Sequence, residues 1–197
     1  MIDREHLPAM LTCSPMTDAE FMSLCEEHPD LRFEMTADGE IIIMPPTFSI
    51  PSLRNAEIGG QLGNWARRDG RGFVSDSSGG FVLPNGARRS PDAAWISKPR
   101  FAQLADRDGF WRLCPEFVIE LRSPSDRTRV IQEKMEEWIA SGAELAWLID
   151  PAKRSIAVYR PGVAPEIVAE ADSIAGEGPV AGFVLELPAV WDPIGQV

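Results

Sequence analysis

Two of the most apolar strands that this sequence predicts each carry a single carboxylate. Asp92 stands directly before the apolar run 93–96, and Glu120 follows the apolar residues 117–119 within a second run. A buried carboxylate without a partner is costly, so such a group is normally paired with a cation, protonated or bound to a metal. The fold must therefore bury these two strands and still satisfy both carboxylates.

Length and composition are those of one globular domain. The 197 residues are 44% hydrophobic and 25% charged, which is enough material for a sizeable core. No apolar run reaches the roughly 20 residues that a membrane span needs, and no secretory signal pattern is present. The cysteines Cys13, Cys25 and Cys114 are widely spaced and form no CxxC pair. They indicate reduced thiols in a cytoplasmic protein, and the lack of a spanning run predicts no membrane partner.

Charge is unevenly distributed along the chain. The net charge is −11, yet residues 41–135 hold 14 basic and 10 acidic side chains. Local charge matters more than net charge for a polyanion such as DNA. This segment is therefore a candidate DNA-binding face, with Arg67 and Arg68 as candidate phosphate contacts. On charge alone, an ordinary solvated surface fits equally well.

Apolar periodicity and turn residues predict an α/β fold with a mixed sheet. Helices are expected at 17–30, 52–68 and 126–142, with a further helical turn near 101–106. The helix at 52–68 would place Leu53, Ala56, Ile58, Leu62 and Trp65 inward. Strands are expected at 31–36, 40–44, 73–76, 80–83, 90–96, 116–122, 145–150 and 155–160.

We expect one domain, with a central mixed sheet flanked by helices. Its parts are an N-terminal helix and hairpin extension (1–46), a core (47–160) and a C-terminal extension (161–197). Asn85-Gly86 is a strong turn signal and is expected to join the strands near 80–83 and 90–96.

The helix predicted at 126–142 brings a cation to the two carboxylates. Lys134 lies within its apolar stripe, three residues after Ile131 and four before Trp138. A lysine there either extends to solvent along its methylene stem or directs its ammonium at a polar site beneath the helix. If the strands of Asp92 and Glu120 are sheet neighbours, the two carboxylates converge at one strand end, and an inward lysine gains partners.

The segments RSPDAAW, CPEFVIELRSPSD and KMEEWIASGAELAWLIDP, in this order and spacing, resemble the Uma-type family of restriction endonucleases. That family is a branch of the PD-(D/E)xK nuclease superfamily. The similarity takes in roughly residues 31–192. The resemblance implies a restriction-endonuclease-like core, in which adjacent strands of a mixed sheet carry metal-binding carboxylates.

Motif matching assigns implied roles to five residues. Asp92 matches the aspartate of the PD element and Glu120 the (D/E) position. Arg122 stands where the parent motif has lysine, and Lys134 stands where family members often supply that lysine from the next helix. Glu34 matches an acidic residue that the family places near the same site. The resemblance thus implies Asp92, Glu120 and Glu34 as metal ligands, with Lys134 and Arg122 as further catalytic candidates.

The implied cofactor is Mg²⁺ or Mn²⁺, and the implied reaction is hydrolysis of DNA phosphodiester bonds by an endonuclease. Mg²⁺ takes about six oxygen ligands, typically with one or two protein carboxylates among them. The ion would activate water and offset charge on the phosphate. Lys134 suits the stabilisation of such charge, whereas Arg122 stays protonated and is a poor general base.

Other hypotheses remain open. The same fold could act as a catalytically inactive nucleic-acid or protein interaction module, in which Asp92, Glu120 and Arg122 form only a buried ion-pair cluster. A carboxylate-pair hydrolase such as a glycosidase would need an open sugar groove and no metal. A homodimer is one of the assemblies that the sequence allows.

Overall fold

A computed structural model of the protein describes residues 9–12, 16–44, 49–124 and 126–195. The helices are α1 (Asp18–Glu27), α2 (Ser49–Asp69), α3 (Lys98–Phe101), α4 (Thr128–Ala140) and α5 (Pro188–Trp191). The strands are β1 (Ala9–Thr12), β2 (Arg32–Met35), β3 (Glu40–Met44), β4 (Gly72–Asp76), β5 (Phe81–Val82), β6 (Arg88–Arg89), β7 (Ala93–Ser97), β8 (Phe117–Leu121), β9 (Leu145–Asp150), β10 (Ser155–Arg160), β11 (Val163–Ala169), β12 (Ser173–Ala175) and β13 (Val184–Glu186).

A six-stranded mixed sheet with the order β11-β10-β9-β8-β7-β4 forms the centre of the fold. Strands β8 and β9 are parallel and are joined by α4, whereas the other neighbours are antiparallel. Residues of α2 and of the C-terminal segment pack on one face of the sheet, and α4 packs on the other. Because both faces are covered, β8 and β9 are buried along their whole length. The predicted central mixed sheet flanked by helices is confirmed.

A second sheet, ordered β1-β3-β2-β6-β5, packs against α1. Thr17 caps α1 and forms a capping box with Glu20. The predicted hairpin is present as β2 and β3. This sheet also contains β5 and β6, so the N-terminal segment shares its hydrogen-bonded sheet with residues from the middle of the chain.

The turn at Asn85-Gly86 joins different strands from those predicted. It connects β5 to β6, which pair with each other in the second sheet, and Gly86 has the positive φ that such a turn requires. Strand β7 begins only at Ala93 and belongs to the central sheet. The chain passes between the sheets around Pro91, which has no backbone N–H for a strand ladder. Asp92 therefore lies at the entry of β7.

The structure also bears on the predicted helical turn, the cysteines and membrane-spanning helices. The predicted helical turn near 101–106 occurs earlier, as α3. Cys25 and Cys114 are free thiols, while Cys13 and the expected boundary after residue 46 lie outside the described residues. Within the described ranges, no helix has both the length and the apolar character that crossing a membrane requires.

Candidate active site

Asp92 and Glu120 meet at one end of the central sheet. Strands β7 and β8 are antiparallel neighbours, with Ala93 opposite Ile119. Extending this register by one residue puts Asp92 opposite Glu120, and opposed side chains have Cβ atoms about 4.5–5.5 Å apart. The backbone N–H of Leu121 donates to Asp92 Oδ2 at 2.8 Å, which fixes the Asp92 carboxylate against β8.

Helix α2 contributes a second partner for Asp92. Asn55 Nδ2 donates to Asp92 Oδ1 at 2.9 Å. Asn55 Oδ1 is buried and has no hydrogen-bond partner among the described residues. Each Asp92 oxygen thus accepts one hydrogen bond, and an oxygen of Asn55 without a donor lies beside them.

Helix α4 directs Lys134 at Glu120. Lys134 Nζ lies 2.7 Å from Glu120 Oε1 and 2.9 Å from Glu34 Oε1, and only 13% of the lysine side chain is exposed. The lysine therefore does not extend to solvent. Its ammonium joins a carboxylate of the central sheet to one of the second sheet.

Glu34 is held by further donors. The backbone N–H of Ser90 donates to Glu34 Oε1 at 3.0 Å, and Arg89 Nη1 donates to Glu34 Oε2 at 3.2 Å. Arg89 also donates from Nε to Glu137 Oε2 at 2.5 Å. The network thus ties the second sheet to α4 through buried charges.

These charges shift the pKa values of the site in opposite directions. Burial raises the pKa of Glu120 to about 7; Lys134 opposes this rise, whereas Asp92 and Glu34 add to it. Burial alone would also raise the pKa of Glu34, but Lys134 and Arg89 outweigh it and hold that pKa below its ordinary value. Burial alone would lower the pKa of Lys134, but Glu120 and Glu34 raise it above its ordinary value. The ammonium therefore stays protonated near neutral pH.

We expect the metal-free protein to lose stability between pH 5 and pH 8. The unfolded protein ionises Glu120 near 4.5, whereas the folded protein does so near 7, so folding is increasingly opposed as pH rises through this window. The free energy of unfolding should fall by on the order of 3 kcal/mol across this window. Lys134 stays protonated in both states across the window. The lowered pKa of Glu34 acts mainly below this window, so these two groups add little slope.

Thermal melts in a chelator test this expectation. The melting temperature of the wild type should fall by several degrees from pH 5 to pH 8, and that of Glu120→Gln should fall less. The pKa of Asp126 is also raised by burial, so any slope that Asp126 adds has the same sign and is present in both proteins. Parallel profiles for the two proteins would show that Glu120 does not titrate in this range.

Arg122 has its own partner away from Asp92. Its Nη1 atom lies 2.6 Å from Asp150 Oδ2 on β9, and its Nη2 atom donates to Thr128 Oγ1 at 3.0 Å. No ion pair with Asp92 occurs within the described part of the chain. The buried cluster of Asp92, Glu120 and Arg122 considered from the sequence is therefore not formed; Lys134 is the cation that Glu120 contacts.

Comparison with known proteins assigns the chain to a family. The Uma2 family, described as "Putative restriction endonuclease", matches residues 18–188. The chain belongs to the Uma2 family. A similar solved structure is the crystal structure of a "putative nuclease belonging to DUF820" from Anabaena variabilis, with a TM-score of 0.72 and 20% sequence identity over 90% of this chain and 98% of that chain. No curated protein matches the chain. Family and fold together support a nuclease.

The oxygen atoms of Asp92 and its neighbours suit a hard cation as ligands. The described residues contain no group of three or more His, Cys, Asp or Glu side chains placed to hold a metal. Mg²⁺, however, typically takes only one or two protein carboxylates, with water and phosphate oxygens completing its shell. Asp92 and Glu120 supply two carboxylates, and the buried Oδ1 atom of Asn55 is an oxygen with no donor. The residues present therefore fit a divalent metal such as Mg²⁺ or Mn²⁺.

The basic residues of 41–135 are divided between the interior and the surface of this Uma2 protein. Arg88 and Arg89 are buried, so they do not form an external basic face. Arg67 and Arg68 are exposed and line a cleft of about 540 Å³. They lie at the C-terminal end of α2, at least 12 residues beyond Asn55, or about 18 Å at 1.5 Å per residue.

The local sequence patterns do not identify two residues of the site, Asn55 and Trp138. The buried stripe of α2 runs through Ile58, Leu62 and Trp65, while Leu53 and Ala56, expected inward, are exposed. Asn55 continues that stripe three residues before Ile58, and its spacing was the signal that could have identified it. Trp138 belongs to the apolar stripe of α4, which predicts a core residue; it is buried, but its indole also contacts Glu120.

Proposed function

We propose that this protein is a divalent-metal-dependent endonuclease that hydrolyses phosphodiester bonds in DNA. The observation that carries the proposal is the pair of carboxylates at adjacent strand ends, Asp92 and Glu120, with the ammonium of Lys134 bound to Glu120. Metal-assisted hydrolysis needs oxygen ligands for the ion and a fixed positive charge beside the phosphate. Membership in the Uma2 family, described as "Putative restriction endonuclease", agrees with this chemistry.

Asp92 and Glu120 are the proposed ligands of Mg²⁺ or Mn²⁺. Bound there, the ion would activate water and offset negative charge on the phosphate. Glu34 is already engaged by Lys134, Arg89 and Ser90, so these contacts favour a role in orienting Lys134 over direct ligation. The contacts of Arg122 favour a bracing role between β8 and β9.

Lys134 is the proposed source of fixed positive charge. Because the pKa of Lys134 is raised, its ammonium cannot take a proton from water near neutral pH. An ammonium has three N–H donors, and the contacts with Glu120 and Glu34 use two of them. The third remains for a water molecule or a phosphate oxygen, so Lys134 acts as an orienting and charge-stabilising group.

A nuclease assay on supercoiled plasmid and on single-stranded DNA tests the proposal. We expect cleavage with Mg²⁺ or Mn²⁺, none in EDTA, and none for Glu120→Gln. The matched control is Glu116→Gln: Glu116 is also buried but bonds Ser97 and Arg100 at the opposite end of β8, so cleavage should persist. DNA binding without cleavage in the presence of either Mg²⁺ or Mn²⁺ would contradict the proposal and support the inactive interaction module.

A further inference from the structure

We infer that Trp138 is a positioning residue whose indole N–H holds Glu120 Oε1 and thereby leaves Oε2 as the atom that binds the metal. The inference rests on the proposed metal-dependent function. It assigns a role to a tryptophan that the apolar pattern of α4 marks only as part of the core.

The contacts of Glu120 are concentrated on one of its two oxygens. Trp138 Nε1 donates to Glu120 Oε1 at 2.9 Å, and Lys134 Nζ lies 2.7 Å from the same atom. A carboxylate oxygen offers about two lone-pair sites, so these two donors fill Oε1. Within the described ranges no hydrogen bond reaches Oε2, which leaves that atom free to face an ion.

The two donors come from one face of one helix. Lys134 and Trp138 are four residues apart on α4, so their side chains lie one turn apart on the same side. Glu137, between them, bonds Arg89 of the second sheet. Helix α4 is thus fixed against both sheets while it presents two N–H groups to a single oxygen.

Trp138 is the more rigid of the two donors. Its side chain is completely buried, with Met135 and Val118 in the same core cluster, and its ring packs edge-on against Phe81. The indole nitrogen only donates, and close packing of the surrounding core side chains restricts rotation of the ring. Lysine, by contrast, carries its charge on a flexible four-carbon stem. The indole therefore fixes the rotation of the Glu120 carboxylate, whereas Lys134 supplies the positive charge beside it.

Loss of the indole N–H should loosen the carboxylate. With one site on Oε1 empty, Glu120 can present either oxygen, and the geometry that the metal requires is no longer fixed in advance. Partners of this kind, which orient a metal ligand, typically contribute 10–100-fold to metal affinity. The effect should appear in metal binding itself, without any need for substrate or turnover.

Calorimetric titration of Mn²⁺ into full-length wild type and Trp138→Phe tests the inference. We expect a dissociation constant about 10–100-fold larger for the variant. Trp147→Phe is the matched control, because Trp147 is equally buried but lies on the other face of the sheet and stacks on Phe183. It should bind Mn²⁺ as the wild type does. Titrations are run below the melting temperature of each protein.

The outcomes separate the inference from the function on which it rests. A wild type that binds no Mn²⁺ overturns both. Wild-type affinity in Trp138→Phe overturns the inference alone, and so does an equal loss of affinity in Trp147→Phe, since that would reflect general loosening of the core.

A measurement on the wild type covers the case in which Trp138→Phe does not fold. In a ¹H–¹⁵N NMR spectrum, the assigned indole N–H of Trp138 should stay strongly downfield when Mg²⁺ is added, because it remains bonded to Oε1. Glu120→Gln should move this resonance upfield, since an amide carbonyl is a weaker acceptor than a carboxylate. Movement to the position of a free indole on Mg²⁺ addition would overturn the inference.

Discussion

Lys134→Met is expected to destabilise the protein by about 3–5 kcal/mol and to abolish DNA cleavage. Lys134 Nζ lies between Glu120 and Glu34, both buried, so methionine keeps much of the stem and removes the charge that both carboxylates need. A lysine that extended to solvent would make little difference to stability. The burial of its ammonium, the other of the two placements that the sequence allows, predicts a large loss instead.

Thermal or urea melts of single and double variants measure this effect. Adding Glu120→Gln to Lys134→Met removes one of the stranded charges and should restore part of the lost stability, while cleavage stays absent. Lys98→Met, at an exposed lysine, should change stability by no more than about 0.5 kcal/mol. Equal stability of wild type and Lys134→Met would show that the two carboxylates do not depend on this ammonium.

The strands and helices with the strongest patterns were predictable because local sequence determines them. Strands β9 and β10 occupy the predicted 145–150 and 155–160, and α4 lies within the predicted 126–142. Asp92 and Glu120 were noticeable because each interrupts or adjoins an apolar run, where a charge is costly. Lys134 was noticeable for the same reason on a helix. Charged residues that interrupt an apolar pattern can therefore be located from the sequence.

The partners of those residues depend on contacts between distant parts of the chain. Glu34 and Lys134 are 100 residues apart, and Asn55 and Asp92 are 37 apart. No periodicity within one element encodes which sheet Arg89 joins, and the strand expected over 90–96 obscured the passage between sheets at Pro91. The role of Trp138 is hidden further, because a buried tryptophan satisfies the core pattern whether or not its N–H has a partner.

Asp92→Asn is expected to abolish cleavage and the metal-induced rise in melting temperature, while the metal-free protein stays as stable as the wild type or becomes more so. The substitution removes a negative charge opposite Glu120 and so relieves repulsion between the two. It also keeps the hydrogen bonds. The new amide oxygen can accept from Leu121 N, and its NH₂ can donate to Asn55, if that amide turns its partnerless Oδ1 inward.

Thermal melts with and without Mn²⁺ decide the matter. At about 100 times its dissociation constant, the ion should stabilise the wild type by about 2.7 kcal/mol, or about 5–10 °C for a chain of this size, and should leave Asp92→Asn unmoved. The matched control is Asp150→Asn, which breaks the ion pair with Arg122. That variant should lose about 1–3 kcal/mol of stability yet keep the metal-induced shift. A destabilised Asp92→Asn beside a wild type that ignores Mn²⁺ would instead make Asp92 a structural carboxylate, and the nuclease proposal would fail with it.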